Sequence, residues 1–265
     1  MPLLTENRRH VPVVARSVVM FAVAASTVVL LAGCSAGAAT PPVPVPTNVD
    51  LGLVDIENGS ANGLWYLTGN DAASQVLEAV RRTEGVTMEG TIEEMVPQQS
   101  APPIPGRTIR FTSQGDSSAS VTTLSAGAVE LEIRIVEGVA YLRGNAAYDA
   151  NAGIVTGSTF ACTSPDSDLV TEWAELTDPA ELLSATLIGF ELGVLAPAEE
   201  STDVATIVIG SGGAPLGTLQ VEAAGQPLPR QLLVADQTGS VSVAFTAWGE
   251  PAPVAAPNEL GPGCA

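Results

Sequence analysis

Val129, Leu131, Ile133 and Ile135 alternate with Glu130, Glu132 and Arg134, and Glu137-Gly138 then turns the chain into Val139-Ala-Tyr141-Leu-Arg143. A period of two with one apolar and one charged side leaves few options: the segment lies as antiparallel strands with one face buried and the other in water. The tight turn makes the two strands a hairpin. The same alternation returns where Ile109 and Phe111 flank Arg110 and Thr112, and where Val241, Val243 and Phe245 interleave with Ser240, Ser242 and Thr246. Further strands are expected over 83–94, 204–209, 216–223 and 231–235, about seven or eight in all. The clearest helix runs from a cap at Asn70 or Asp71 to Arg82, with Ala72, Val76, Leu77 and Val80 at helical spacing and Gly85 beyond its end. A second is expected over 179–190, with Leu182, Leu183, Leu187 and Phe190 on one side, and a short helical turn over 145–151. Pro97 to Pro105 reads as a loop.

The N-terminus is a processing signal. Arg8, Arg9 and Arg16 precede an uncharged apolar run from Val18 to Leu31, which ends in Leu31-Ala32-Gly33-Cys34. This pattern suits a peptidase that cuts before Cys34 once diacylglycerol has been attached to the thiol. The competing reading is a transmembrane helix, but the run is about 14 residues where a bilayer span wants about 20. Residues 1–33 are therefore expected to be a signal peptide and Cys34 the site of lipidation, with the membrane as partner through that anchor and the chain on its extracytoplasmic face. Residues 34–69 make a Pro-rich tether and an irregular segment, 70–257 the folded domain and 258–265 a tail.

Charge then excludes partners. Removing residues 1–33 takes Arg8, Arg9, Arg16 and Glu6 from totals of 10 basic and 29 acidic residues, leaving 7 against 28. Such a surface does not track phosphates, so nucleic acid is excluded. The chain has no Lys, and its single His, His10, lies in the signal peptide. Schiff-base, P-loop, Ser-His-Asp and His-metal chemistry are thereby closed to the mature chain, and no cofactor or metal is called for. Cys162 and Cys264 are the thiols that remain. In an oxidising envelope an even count suggests a bridge, with two free thiols as the alternative.

No catalytic constellation emerges. Gly210 to Gly217 sits between two strands instead of opening a helix, and reads as a hairpin loop. Asp166, Asp168 and Glu172 lack the spacing of a calcium loop and read as a solvated acidic segment. Glu93-Glu94 and Glu199-Glu200 are adjacent, so on a strand each pair points to opposite faces and cannot act together. Trp65, Trp173 and Trp248 are too scattered for a sugar platform. Asn58-Gly-Ser60 is a pattern common by chance.

Four segments carry a likeness: Gly138-Val-Ala-Tyr141-Leu-Arg-Gly144-Asn-Ala-Ala-Tyr148; Trp173 followed by Asp178-Pro179-Ala-Glu-Leu-Leu183; Gln226-Pro-Leu-Pro-Arg-Gln-Leu232; and Phe245-Thr-Ala-Trp-Gly-Glu-Pro251. In their order after the lipidation motif, over about residues 70–257, the chain resembles the LppX/LprA/LprF/LprG-type lipoproteins of mycobacteria. The resemblance implies an α+β fold of the LolA/LolB type, a strongly curved antiparallel half-barrel with helices on its concave face. It also implies a non-enzymatic carrier of lipid or another apolar ligand in a cavity between sheet and helices. On that expectation Phe111, Leu131, Ile133, Tyr141, Val241 and Val243 face the ligand, because the opposite set, Glu130, Glu132, Arg134, Ser240 and Ser242, is comfortable in water. The rival function is an envelope scaffold of the same fold with a filled core.

Overall fold

A computed structural model describes residues 61–264 apart from 100, 117, 198–202, 251–252 and 262–263. The signal peptide, Cys34, the Pro-rich tether, Asn58 and the Glu199-Glu200 pair lie outside the described residues. What is described belongs to one unit, Glu57–Ala265.

Eleven described strands form a single open antiparallel sheet in the order β6-β5-β4-β3-β2-β1-β11-β10-β9-β8-β7. The strands are β1 (Val86–Gln98), β2 (Ala101–Gly115), β3 (Ala119–Ala126), β4 (Val129–Val136), β5 (Val139–Gly144), β6 (Ala161–Thr163), β7 (Glu191–Leu195), β8 (Val204–Ser211), β9 (Ala214–Glu222), β10 (Pro229–Asp236) and β11 (Gly239–Thr246). Two meanders, β1 to β6 and β7 to β11, meet where β1 pairs with β11. The fold is α+β, a curved sheet with helices packed on it.

The helices are α1 (Gly69–Arg82), α2 (Ala146–Ala152), α3 (Asp168–Thr171), α4 (Ala174–Thr177) and α5 (Pro179–Leu187). Helix α1 packs against β7, β8 and α5; α4 against β2, β3 and α5; α2 against β4 and β5. Between them and the sheet lies the core, with Val76, Met88, Ile133, Leu142, Leu183, Ile207, Leu219 and Leu232 fully buried. Local chemistry sets the helix starts. The Thr68 side chain accepts from Asp71 N, so the cap of α1 falls two residues before the expected Asn70. Gly69 follows because a Cβ there would lie 2.0 Å from Leu192 O on β7. Asp178 caps α5 by accepting from Ala180 N and Glu181 N, with Pro179 in the first turn.

Three strands exceed the sequence expectation: β3, β6 and β7. Strand β3 turns Ser120 and Thr122 inward, where they are buried, and the Thr122 hydroxyl meets that of Ser113 on β2 at 2.8 Å. Hydroxyls on the core side erase the contrast by which alternation is read. The expected loop over 97–105 is a second correction. Strands β1 and β2 continue as a ribbon through it, pairing Met95 with Pro105, Val96 with Ile104 and Gln98 with Ala101. Prolines fit because their fixed φ is extended, and Pro97 falls at an irregularity of the ladder where no N–H is needed. Part of the segment before α1 is also structured: Ala61 bridges Ala224, and Leu64, in a 3-10 turn over Leu64–Tyr66, is fully buried.

Candidate functional site

Two surfaces could carry function: the apolar layer between sheet and helices, and the outer face of the sheet. The first is built by strand parity. Phe111, Leu131, Ile133 and Val243 face the helices and are 3%, 3%, 1% and 0% exposed, and Val241 packs on the same core, half-buried. Gly90 makes room for two of them, since a Cβ there would sit 2.6 Å from the Phe111 ring and 2.8 Å from Val243 Cγ2.

Tyr141 does not join this set. It pairs with Arg134, and its neighbour Leu142 pairs with Ile133. The β4–β5 turn has Glu137 and Gly138 at φ 51° and 77°, and the flanking Val136 and Val139 stand directly opposite. Residues opposite each other share a face, so Val139 and Tyr141 follow Val136 and Arg134 outward while Ala140 and Leu142 turn in.

The helix layer contains polar groups that alternation could not reveal. Tyr148 on α2 and Trp173 before α4 are 5% and 8% exposed, and Tyr148 Oη, Trp173 Nε1 and Ser167 Oγ are buried without a hydrogen-bond partner. Burial, with the nearby Glu172 and Asp149 carboxylates, pushes the Tyr148 phenol up to about 12. Glu175 on α4 is raised above its ordinary value by burial and by Glu181. Buried donors without acceptors are uncommon, and each costs roughly 1–3 kcal/mol if it stays unpaired.

The outer face holds an open trough of about 770 Å³ across β10, β11 and β1 to β5, lined by Glu89, Thr91, Arg110, Thr123, Glu132 and Arg143 among others. Its wall is mixed, with charged and hydroxyl side chains alternating with apolar surface, and it is open to water. At its β5 side the Glu132 carboxylate accepts from Arg134 Nε at 2.7 Å and from Arg143 Nη2 at 2.5 Å. Both guanidiniums stand over the Phe160 ring, 5.2 and 4.5 Å from its centroid. The C-terminal segment closes over the same edge. Phe160 N donates to Glu259 O, Gly261 N donates to Phe160 O, and a disulfide joins Cys162 of β6 to Cys264 with Cα atoms 5.1 Å apart.

Burial alone would raise the Glu132 pKa, but the hydrogen bonds and charges of Arg134 and Arg143 hold it below the ordinary carboxylate value. A carboxyl depressed in the folded state stabilises above its unfolded pKa, about 4.3, and that contribution disappears as pH falls through the folded value. Glu132→Gln is therefore expected to lose about 1–2 kcal/mol near pH 7, with the gap to the parent narrowing below about pH 4. Urea midpoints at pH 7 and pH 3 measure it, and an equal gap at both would show that the ion pairs are not its source.

The remaining sequence candidates are structural. Gly212 and Gly213 turn the β8–β9 hairpin, where their N–H groups donate to the Glu191 carboxylate. Glu94 pairs with Arg107, and Glu93 accepts from Ser240. Trp248 stacks on Phe245 and donates to Pro229 O at 2.7 Å, and Trp65 lies against Tyr66. Asp168 opens α3, with Asp166 exposed before it. No helix among the described residues is long and apolar enough to cross a membrane.

No family model matches this chain, and no curated protein matches it. Among solved structures it is similar to LprF from Mycobacterium bovis, at 15% identity over 74% of this chain and 100% of that one, with a TM-score of 0.39. The lipoprotein LppX from Mycobacterium tuberculosis is 15% identical over 69% of this chain and 95% of that one, with a TM-score of 0.33. A LolA-superfamily protein from Nitrosomonas europaea is 10% identical over 69% and 93%, with a TM-score of 0.29. The first two belong to the group that the sequence segments resemble.

Proposed function

We propose that the chain is a non-enzymatic envelope lipoprotein, held to the membrane through Cys34, which takes the apolar chain of a lipid between its sheet and its helix layer. The observation that carries this reading is the composition of that layer. One face of the sheet is apolar across its width, and over β2 to β5 it is covered by short helices that bury Tyr148 Oη and Trp173 Nε1 without acceptors. Helices of four residues, such as α3 and α4, have little stability of their own and hold their place by packing. Lifting them exposes an apolar face to an acyl chain, whose burial is worth about 25 cal/mol per Å². A carbonyl or phosphate oxygen of the headgroup would accept from the two donors.

A second reading, a scaffold of the same fold, is favoured by the packing: Ile133, Leu142 and Val243 are at most 1% exposed. A void wide enough for an acyl chain would leave accessible surface on its walls, so carriage requires the helix layer to move.

The test is extraction. The protein purified from its own envelope should release lipid into organic solvent in near one-to-one ratio, and the emptied protein should bind a fluorescent fatty acid. Tyr148→Phe should stabilise the empty protein by about 1–3 kcal/mol, because it removes a buried hydroxyl that has no partner, while weakening probe binding severalfold. Protein that yields no lipid and binds no probe is the scaffold. Anchoring is tested separately: Cys34→Ala should remain an unprocessed precursor that takes up no labelled fatty acid, and continued labelling would refute lipidation at Cys34.

A further inference from the structure

Strands β1 and β2 do not stop where the sheet stops. Pairing with β11 ends at Glu94 and Gly239, and pairing with β3 begins only at Ile109 and Ala126. Beyond those limits the ribbon is two strands wide and extends by roughly 15 Å at about 3.3 Å per residue. Its residues, 95–106, read Met-Val-Pro-Gln-Gln-Ser-Ala-Pro-Pro-Ile-Pro-Gly. No charge occurs among them, although the chain beyond residue 33 carries 28 acidic residues against 7 basic. Val96 and Ile104 stand opposite each other, 45% and 50% exposed. Charge resumes at the base of the ribbon, where Arg107 grips both carboxylate oxygens of Glu94 at 3.2 and 2.8 Å.

An exposed two-stranded ribbon usually invites another strand. Here Pro97, Pro102, Pro103 and Pro105 remove four N–H donors, which disables strand addition. The same removal lowers the cost of bringing the ribbon against a lipid interface, where an unpaired backbone donor is costly once it leaves water. Its exposed apolar surface is the cross-strand pair of Val96 and Ile104 with the pyrrolidine rings beside them, the uncharged amides of Gln98 and Gln99 lie toward the turn, and the nearest charges stand at one level across the base.

We infer that this β1–β2 arm docks on a lipid bilayer, laying its Val96 and Ile104 flank at the boundary between headgroups and acyl chains, with the amides of Gln98 and Gln99 among the headgroups and the Glu94–Arg107 pair in the water. Charge selects the kind of bilayer: an acidic body is repelled by anionic headgroups, so the arm favours a surface of net-neutral lipid. The length of chain before the fold allows it to reach the membrane that anchors Cys34 as well as another. Between Cys34 and Ala61 the chain can span up to about 90 Å at 3.3–3.6 Å per residue. The inference is independent of whether the helix layer takes up a lipid chain.

The test uses residues 35–265, which hold every described residue and no acyl anchor, with phosphatidylcholine vesicles in a flotation assay. The parent should float with the vesicles. A variant carrying Val96→Asp and Ile104→Asp should bind at least tenfold more weakly with an unchanged urea midpoint, since both side chains are exposed. Replacing part of the phosphatidylcholine by phosphatidylglycerol should weaken binding at low salt, with recovery at high salt. A parent that stays at the bottom of the gradient, or a variant that floats equally well, overturns the inference. Concentration-dependent dimerisation of the parent that the variant abolishes, without flotation, would make the occupant of the arm a second copy of the chain and also overturn it. Neither result bears on lipid extraction from the helix layer.

Discussion

Replacing Cys162 and Cys264 together by Ala is expected to lower stability by about 4–5 kcal/mol, because the bridge closes a loop of 102 residues and restricts the unfolded chain accordingly. For a domain of this size that is a fall in Tm of roughly 10–15 °C. The loss has a local side as well. The C-terminal segment is held to β6 through Phe160 by Glu259 O and Gly261 N, and without the bridge this strip frays from the edge. Urea unfolding of the variant measures the effect, and the parent reduced under the same conditions should match the variant's midpoint. A variant as stable as the oxidised parent would mean that the tail, not the bridge, secures the edge.

The second large effect is expected from Val243→Asp. Val243 is fully buried on β11, between Gly90 of β1 and Leu232 of β10, and no basic group faces it. A carboxyl there loses its water without a partner, at a cost of several kcal/mol, so the variant should lose cooperative unfolding or fail to fold. Its neighbour Ser242 faces the opposite side and is exposed, and Ser242→Asp should unfold within about 0.5 kcal/mol of the parent. Circular dichroism and urea titration of the pair measure the assignment of faces directly. Equal tolerance at both positions would contradict the burial of the helix-side layer.

Much of this architecture was legible in the alternation of residues such as Leu131, Ile133 and Val243, which the structure buries on one face. Tyr141 shows where the signal fails. It is apolar enough to be assigned inward by character, yet the parity of a two-residue turn carries it outward beside Arg134, and counting across Glu137-Gly138 would have found this. Strand β3 was hidden for the opposite reason, since Ser120 and Thr122 are polar by character yet buried, the Thr122 hydroxyl being paired with that of Ser113. The arm was hidden by its prolines, which mark loops in most sequences but here sit in a ribbon where few donors are required. Tyr148 and Trp173 lie in a stretch where no periodicity exists, and their unpaired donors are a property of packing alone.

The joint between the two meanders fixes the order in which the sheet is completed. Every other described ladder links strands adjacent in the sequence, so β1 to β6 and β7 to β11 can each form by local hairpin closure. The β1–β11 ladder instead brings Thr87 to Thr246 and Glu94 to Gly239, and it must wait until nearly the whole chain is available. Joining such distant segments costs loop entropy that grows only as the logarithm of their separation. Its consequence is kinetic: a chain delivered from its N-terminus holds the inner edge of β1 open throughout synthesis, and that edge is paired only when the last strand arrives.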